Sequence, residues 1–191
     1  MISNYRPIAI LSNISKIFDT LIYWRLSAYF FGNSLLSENQ YGFRKERSTE
    51  LAVCELVNRI LPSFKSRMFA MCVFLDYRAC FDTIPREILL SKISRYGVGG
   101  NSLQMLKSYF EGRTQHVLFN EMVSGFAFQN LGVVQGSKMG PLFYDIFSND
   151  LNFLCNNLIL YADDTCLTYF SDSLEELELQ ANNQLSLFFD W

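Results

Sequence analysis

The chain is short of several things that common enzyme chemistries need. It has one histidine, His116, so a catalytic histidine pair and a histidine-rich metal site are both excluded. Its five cysteines (Cys54, Cys72, Cys80, Cys155 and Cys166) form no C-x-x-C pair and no cluster with histidine. That spacing supports neither a zinc site nor a disulfide framework. No apolar run approaches the roughly 18 residues of a membrane span, and no secretory signal is apparent. The expected setting is a reducing intracellular compartment, nucleus or cytoplasm, without secretion or a membrane partner. Repeats and low-complexity tracts are also lacking, which argues against a solenoid or a linker.

Half of the 191 residues are hydrophobic and 16% are aromatic, with 18 phenylalanines, so a sizeable core is available. Net charge is −3, but it is unevenly spread. Residues 1–113 carry 15 Lys/Arg against 9 Asp/Glu, whereas residues 114–191 carry 1 against 10. A basic half joined to an acidic half suits a protein that grips phosphate at one end and a cation at the other. Two differently decorated solvated surfaces would give the same distribution.

Along the chain, Ile8–Leu11 reads as a short apolar strand. Ser12 or Asn13 caps a helix with Ile14, Ile17, Phe18, Leu21, Ile22 and Leu26 at helical spacing. A polar, turn-rich stretch (Gly32–Gln40) and a basic loop (Tyr41–Arg47) follow. Ser48 then caps a second helix, which Pro62 ends or nearly ends. Met68–Leu75 has the length of a strand buried on both faces. Pro85 opens a helix stopped by Gly97, and another spans Ser102–Phe110. Gln115–Asn120 and Gly125–Leu131 read as strands, with His116 a structural residue in the first, and Met139–Leu154 reads as one helix. A hairpin surrounds Asp163-Asp164, and Ser173-Leu174-Glu175-Glu176 is a capping box for a last helix. Strands and helices alternate without a strict βαβ rhythm, so the expected class is α+β with a largely antiparallel sheet.

Three carboxylates stand at strand ends: Asp76 after the buried run, and Asp163 with Asp164 in the hairpin turn. If the two strands are neighbours, all three meet at one sheet edge. Such anions repel unless a cation lies between them, and hard cations such as Mg²⁺ take carboxylate oxygens. A pair of divalent ions held this way stabilises both the attacking and the leaving oxygen of a phosphoryl transfer.

Five segments in order resemble the reverse transcriptase domain of non-LTR (LINE-type) retrotransposons. They are Tyr5-Arg6-Pro7-Ile8; Gly42-Phe43-Arg44 with Arg47-Ser48-Thr49; Asp76-Tyr77-Arg78-Ala79-Cys80-Phe81-Asp82; Gln135-Gly136-Ser137 with Gly140-Pro141; and Tyr161-Ala162-Asp163-Asp164. The resemblance implies a polymerase palm-type antiparallel sheet with packed helices plus partial fingers. Residues 1–67 would be fingers and 68–191 an incomplete palm. Thumb and endonuclease domains would be expected in the full-length element. It implies that Asp76, Asp163 and Asp164, with the Tyr77 carbonyl, hold two Mg²⁺ ions (Mn²⁺ as an alternative). Asp164 is the ligand that contributes less directly. Arg6 would pair with the triphosphate of a dNTP, and Phe81 would exclude a 2′-hydroxyl. Gln135 would touch the nucleotide sugar, and Gly136 would admit the substrate close to the backbone. Arg44, Lys45 and Arg47 would bind template phosphates. The implied activity is RNA-directed DNA polymerisation on an RNA template with a DNA primer.

Departures from the family pattern are Tyr77-Arg78, Cys80, Val134 where proline is usual, and Lys138 where an apolar residue is usual. None removes a metal ligand. A catalytically inactive remnant that binds only nucleic acid or a protein partner is the alternative. An RNA-templated RNA polymerase is disfavoured by Phe81, because such an enzyme must admit the 2′-hydroxyl.

Overall fold

The computed structural model describes residues 8–77 and 79–191. The chain divides into two compact units, each built from two segments: Met1–Leu35 with Ala79–Phe147, and Leu36–Arg78 with Ser148–Trp191. Arg6 lies outside the described residues.

The second unit holds the sheet. Its strands are β1 (Phe69–Asp76), β6 (Leu158–Tyr161) and β7 (Asp164–Ser171), ordered β1-β7-β6 and antiparallel throughout. On one face lie helix α2 (Thr49–Ser66) and a cluster of Tyr41, Ala52, Ile159 and Cys166. On the other, α7 (Leu151–Leu154) and α8 (Leu174–Asp190) cover Leu158, Leu160, Leu167 and Tyr169 with Leu177, Ala181 and Phe188. Because side chains alternate along a strand, each of the three strands feeds both clusters. The run at 69–75 is not doubly buried. β1 is an edge strand, and Phe69 and Phe74 are exposed. Apolar length alone does not separate a central strand from an edge.

The first unit is mostly helical. It contains α1 (Asn13–Gly32), the short α3 (Cys80–Thr83), α4 (Arg86–Arg95), α5 (Gly100–Phe110) and most of α6 (Met139–Ser148). Leu89, Ile93, Leu106, Phe110 and Phe143 are buried together with Phe30 of α1. Phe110 and Phe143 pack ring to ring at 5.0 Å. Between α5 and α6 the chain forms two minimal two-stranded ladders, β2 (Thr114–Gln115) with β5 (Ala127–Phe128) and β3 (Leu118–Phe119) with β4 (Met122–Val123). His116 falls between β2 and β3, edge-on to Phe126.

Side-chain caps set three helix starts. Ser12 accepts from the Ser15 amide, Ser48 from Leu51 and Ser173 from Glu176. Two further expectations fail. Ile8–Leu11 is not a strand; Ala9 only donates its amide to the Gln135 carbonyl, at 3.0 Å. The span 139–154 is two helices, broken at Asn149-Asp150, where the Asn149 side chain accepts the Ser37 amide at 2.7 Å. Pro62 lies within α2 near its end, and the helix continues to Ser66. Among the described residues no helix is long and apolar enough to cross a membrane.

Candidate active site

The β6–β7 hairpin turns through Ala162 and Asp163, because Tyr161 and Asp164 are paired in register. Ala162 carries φ +55°, the left-handed region that L-residues other than Asn and Asp seldom adopt. β7 pairs with β1 over its whole length, and the register places Asp76 opposite Asp164. Directly opposed residues of antiparallel strands project to the same face. Both carboxylates are exposed, and neither forms an ion pair among the described residues. Like charges facing each other across a ladder are destabilising, so this pair is suited to a cation. Asp163 is half-buried in the turn beside them.

Among the described residues no group of three or more His, Cys, Asp or Glu side chains is gathered into a metal cage. Register therefore brings two of the three predicted carboxylates together, and chain adjacency supplies the third. The donor set is all oxygen and lacks thiol or imidazole, which suits a hard cation such as Mg²⁺. A cavity of about 410 Å³ opens beside the pair, walled by Ala52, Val53 and Leu56 of α2 and by Phe74, Ile159 and Tyr161 of the sheet. Tyr77 follows Asp76 with its ring edge-on to Trp191 at 6.0 Å. Burial, and then Cys155 nearby, raise the Tyr77 phenol pKa.

The basic loop is largely engaged with its own unit. Arg44 donates to the carbonyls of Ser37 and Leu36. Arg47 pairs with Glu38 and lies over the Tyr41 ring at 4.8 Å. Lys45 stands in solvent, 3.8 Å from Glu46.

In the first unit three of the four predicted nucleotide-binding residues, Phe81, Gln135 and Gly136, lie on two segments that are tied together. Val133 donates its amide to the Phe81 carbonyl and Gly132 donates to Ile84, each at 2.8 Å, so the Gly132–Ser137 loop is tied to α3. Phe81 is half-buried and stacks on Tyr144 at 4.9 Å. The Gln135 side-chain oxygen is buried and meets no hydrogen-bond donor among the described residues. Gly136 has φ +92°, and a Cβ there would point toward Ile8 and Ala9. Its missing side chain thus serves the chain's own packing.

Three positioning side chains escaped sequence reasoning. Asp19, buried on α1, accepts from the amides of Lys138 and Met139 at the start of α6 and from the Tyr109 hydroxyl. Burial first, then the Asp19 charge, raise the Tyr109 pKa. Arg86, also buried, donates to the carbonyls of Phe110, Gln129, Leu131 and Gly132. Gln40 binds the β6–β7 hairpin at Ala162. The one available signal was polarity interrupting an apolar helix face, at Asp19.

Comparison with known proteins gives a consistent picture. Residues 2–191 match the family model described as reverse transcriptase (RNA-dependent DNA polymerase). The chain is 33% identical, over 98% of its length, to the "Probable RNA-directed DNA polymerase from transposon BS" of Drosophila melanogaster, and covers 22% of that protein. It is 34% identical, over 88% of its length, to the corresponding protein of the transposon X-element in the same organism, and covers 19% of it. The chain thus spans about a fifth of these relatives. Among solved structures, telomerase from Candida albicans in complex with a telomeric RNA fragment aligns with a TM-score of 0.59 at 16% identity. That alignment covers 87% of this chain and 31% of the telomerase. Apo telomerase from Candida tropicalis aligns with a TM-score of 0.56 at 18% identity, over 87% of this chain and 36% of that one. These two likenesses concern the fold.

Proposed function

The chain belongs to the reverse transcriptase (RNA-dependent DNA polymerase) family, of the LINE type, and from that membership we propose that it carries the polymerising centre of a retrotransposon enzyme. The reaction joins a DNA primer to a dNTP on an RNA template. The primer 3′-hydroxyl oxygen bonds to the α-phosphorus, the bond to the β-phosphate oxygen breaks, and pyrophosphate leaves while the hydroxyl proton passes to solvent. The observation that carries this reading is the opposition of Asp76 and Asp164 across β1 and β7.

Asp76, Asp164 and Asp163, with the Tyr77 carbonyl, would hold two Mg²⁺ ions. When bound, such ions neutralise charge on the phosphoryl oxygens and on the attacking and leaving groups. The chain's own residues orient the substrate. Gln135 is assigned the nucleotide sugar on the family resemblance. Phe81, braced by Tyr144, supplies the bulk that would oppose a 2′-hydroxyl. Arg6 is assigned the triphosphate on the family resemblance. Lys45 is the best placed of the three loop cations to meet template phosphate, since it stands in solvent. Arg44 and Arg47 chiefly shape that loop. In this reading residues 1–67 act as fingers and 68–191 as palm, and the thumb and endonuclease belong to other parts of a longer protein.

The test is primer extension on an RNA template, using the chain alone and the chain substituted for the matching segment of the transposon BS polymerase. Extension that disappears in Asp76→Asn supports the reading. Undiminished extension in that variant, or none from either wild-type form, contradicts it.

A further inference from the structure

The catalytic hairpin depends on a residue that belongs to none of its strands. The segment 39–41 runs alongside β6 as a short parallel bridge, with Tyr41 donating to the Leu160 carbonyl and Leu160 to the Asn39 carbonyl, each at 2.8 Å. This places the Gln40 side chain, which is buried, against the hairpin turn. Its Nε2 donates to the Ala162 carbonyl at 3.2 Å, and its Oε1 accepts the Ala162 amide at 3.0 Å. The same Oε1 accepts the Gly42 amide at 2.8 Å. Gly42 leaves no gap on its side, because a Cβ there would sit 2.1 Å from the Ala162 nitrogen.

Ala162 is the turn residue immediately before Asp163, and its φ of +55° is unfavourable for alanine. A residue in this conformation persists when its surroundings over-determine it. Here one amide side chain engages both backbone polar groups of that residue. We propose that Gln40 is a positioning residue for the reaction. It holds the Ala162 peptide in the left-handed conformation, and so sets where Asp163 and Asp164 present their carboxylates to a divalent cation. The proposal rests on the polymerase reading for its functional consequence, whereas the clamp itself stands on hydrogen bonds within one compact unit.

The test compares wild type with Gln40→Met, which keeps the side-chain volume and removes all three hydrogen bonds. Two readouts are taken on the full chain: Mn²⁺ affinity by electron paramagnetic resonance, and hydrogen–deuterium exchange by segment. The proposal expects Mn²⁺ affinity to fall roughly tenfold, the scale of one such hydrogen bond. It also expects amide exchange to quicken by a similar factor in residues 158–166, with α8 unchanged. In the active chimera, kcat falls while the dNTP KM stays within twofold. Should Gln40→Met fail to fold, Gln40→Glu, which keeps the accepting oxygen but not the donor, is read by exchange in residues 158–166 alone, since its added carboxylate would itself attract Mn²⁺. Mn²⁺ affinity within twofold of wild type, or exchange rising uniformly through the chain, overturns the proposal. If wild type binds no Mn²⁺ at all, the polymerase reading fails, and the exchange measurement still decides whether Gln40 holds the turn.

Discussion

Asp19, on α1, accepts the backbone amide of Met139 at 3.3 Å and thereby caps the start of α6 from a position 120 residues away in sequence. A carboxylate at a helix N-terminus also opposes the positive end of the helix dipole. Asp19→Ala leaves the amides of Lys138 and Met139 and the Tyr109 hydroxyl without their acceptor. The expected loss is about 2–3 kcal/mol, read as a shift in the urea unfolding midpoint. Tyr109→Phe removes one donor and should cost about 1 kcal/mol. If the Gly132–Ser137 loop binds nucleotide, Asp19→Asn should raise the dNTP KM more than it lowers kcat.

Arg86 is the second internal brace. Its guanidinium bonds three backbone carbonyls on the approach to the Gln135 loop and a fourth at the end of α5, and lysine cannot reproduce that fork. Burial, and then Arg113, lower its pKa. Arg86→Lys should destabilise by about 2 kcal/mol in the same measurement, since several buried carbonyls lose a charged donor.

Gly132 adopts φ +77°, and a Cβ there would lie 2.5 Å from the Asp82 carbonyl oxygen. Gly132→Ala meets both an unfavourable conformation and a backbone clash, and about 3 kcal/mol is expected. Gly99→Ala is the control, because nothing lies within 4 Å of its Cβ direction and its φ is extended.

Alkaline pH should destabilise the chain in a defined window. Burial pushes the Cys155 and Cys166 thiols from 9.0 up to about 11, and burial also raises the Tyr109 and Tyr169 phenols. Each of these groups is held in its neutral form when folded. Their contribution is therefore complete below the unfolded-state pKa and declines as pH climbs toward the folded one. Urea midpoints should fall steadily between pH 9 and pH 11. Below pH 9, Cys54, which is exposed, should react with a thiol reagent well before Cys155 and Cys166, which are buried.

Much of this molecule was legible in its sequence where the cause is local. Ser12, Ser48 and Ser173 cap their helices because a short hydroxyl reaches an amide three residues on. Tyr161-Ala162-Asp163-Asp164 makes a tight turn between two apolar runs, so its hairpin was expected. Long-range causes were less visible. That β1 lies at the edge, with Phe74 exposed, follows from strand order and not from its apolar run. The break at Asn149 arises because its side chain serves Ser37, far away in sequence. Gln40, Asp19 and Arg86 each act on backbone groups more than 20 residues distant. Nothing in their immediate neighbours announces such a role. The contacts of Arg44 with Ser37 and of Arg47 with Glu38 were equally hidden, because they are set by the path of the loop and not by the residues beside them.

The central claim is that Asp76 and Asp164, opposed in register, form a seat for a divalent cation. Mn²⁺ titration monitored by electron paramagnetic resonance, on wild type, Asp76→Asn and Asp164→Asn, tests it without recourse to polymerisation. The account predicts saturable binding in wild type that weakens at least tenfold in Asp76→Asn and measurably in Asp164→Asn, with Mg²⁺ competing. Equal Mn²⁺ binding by all three proteins would contradict it.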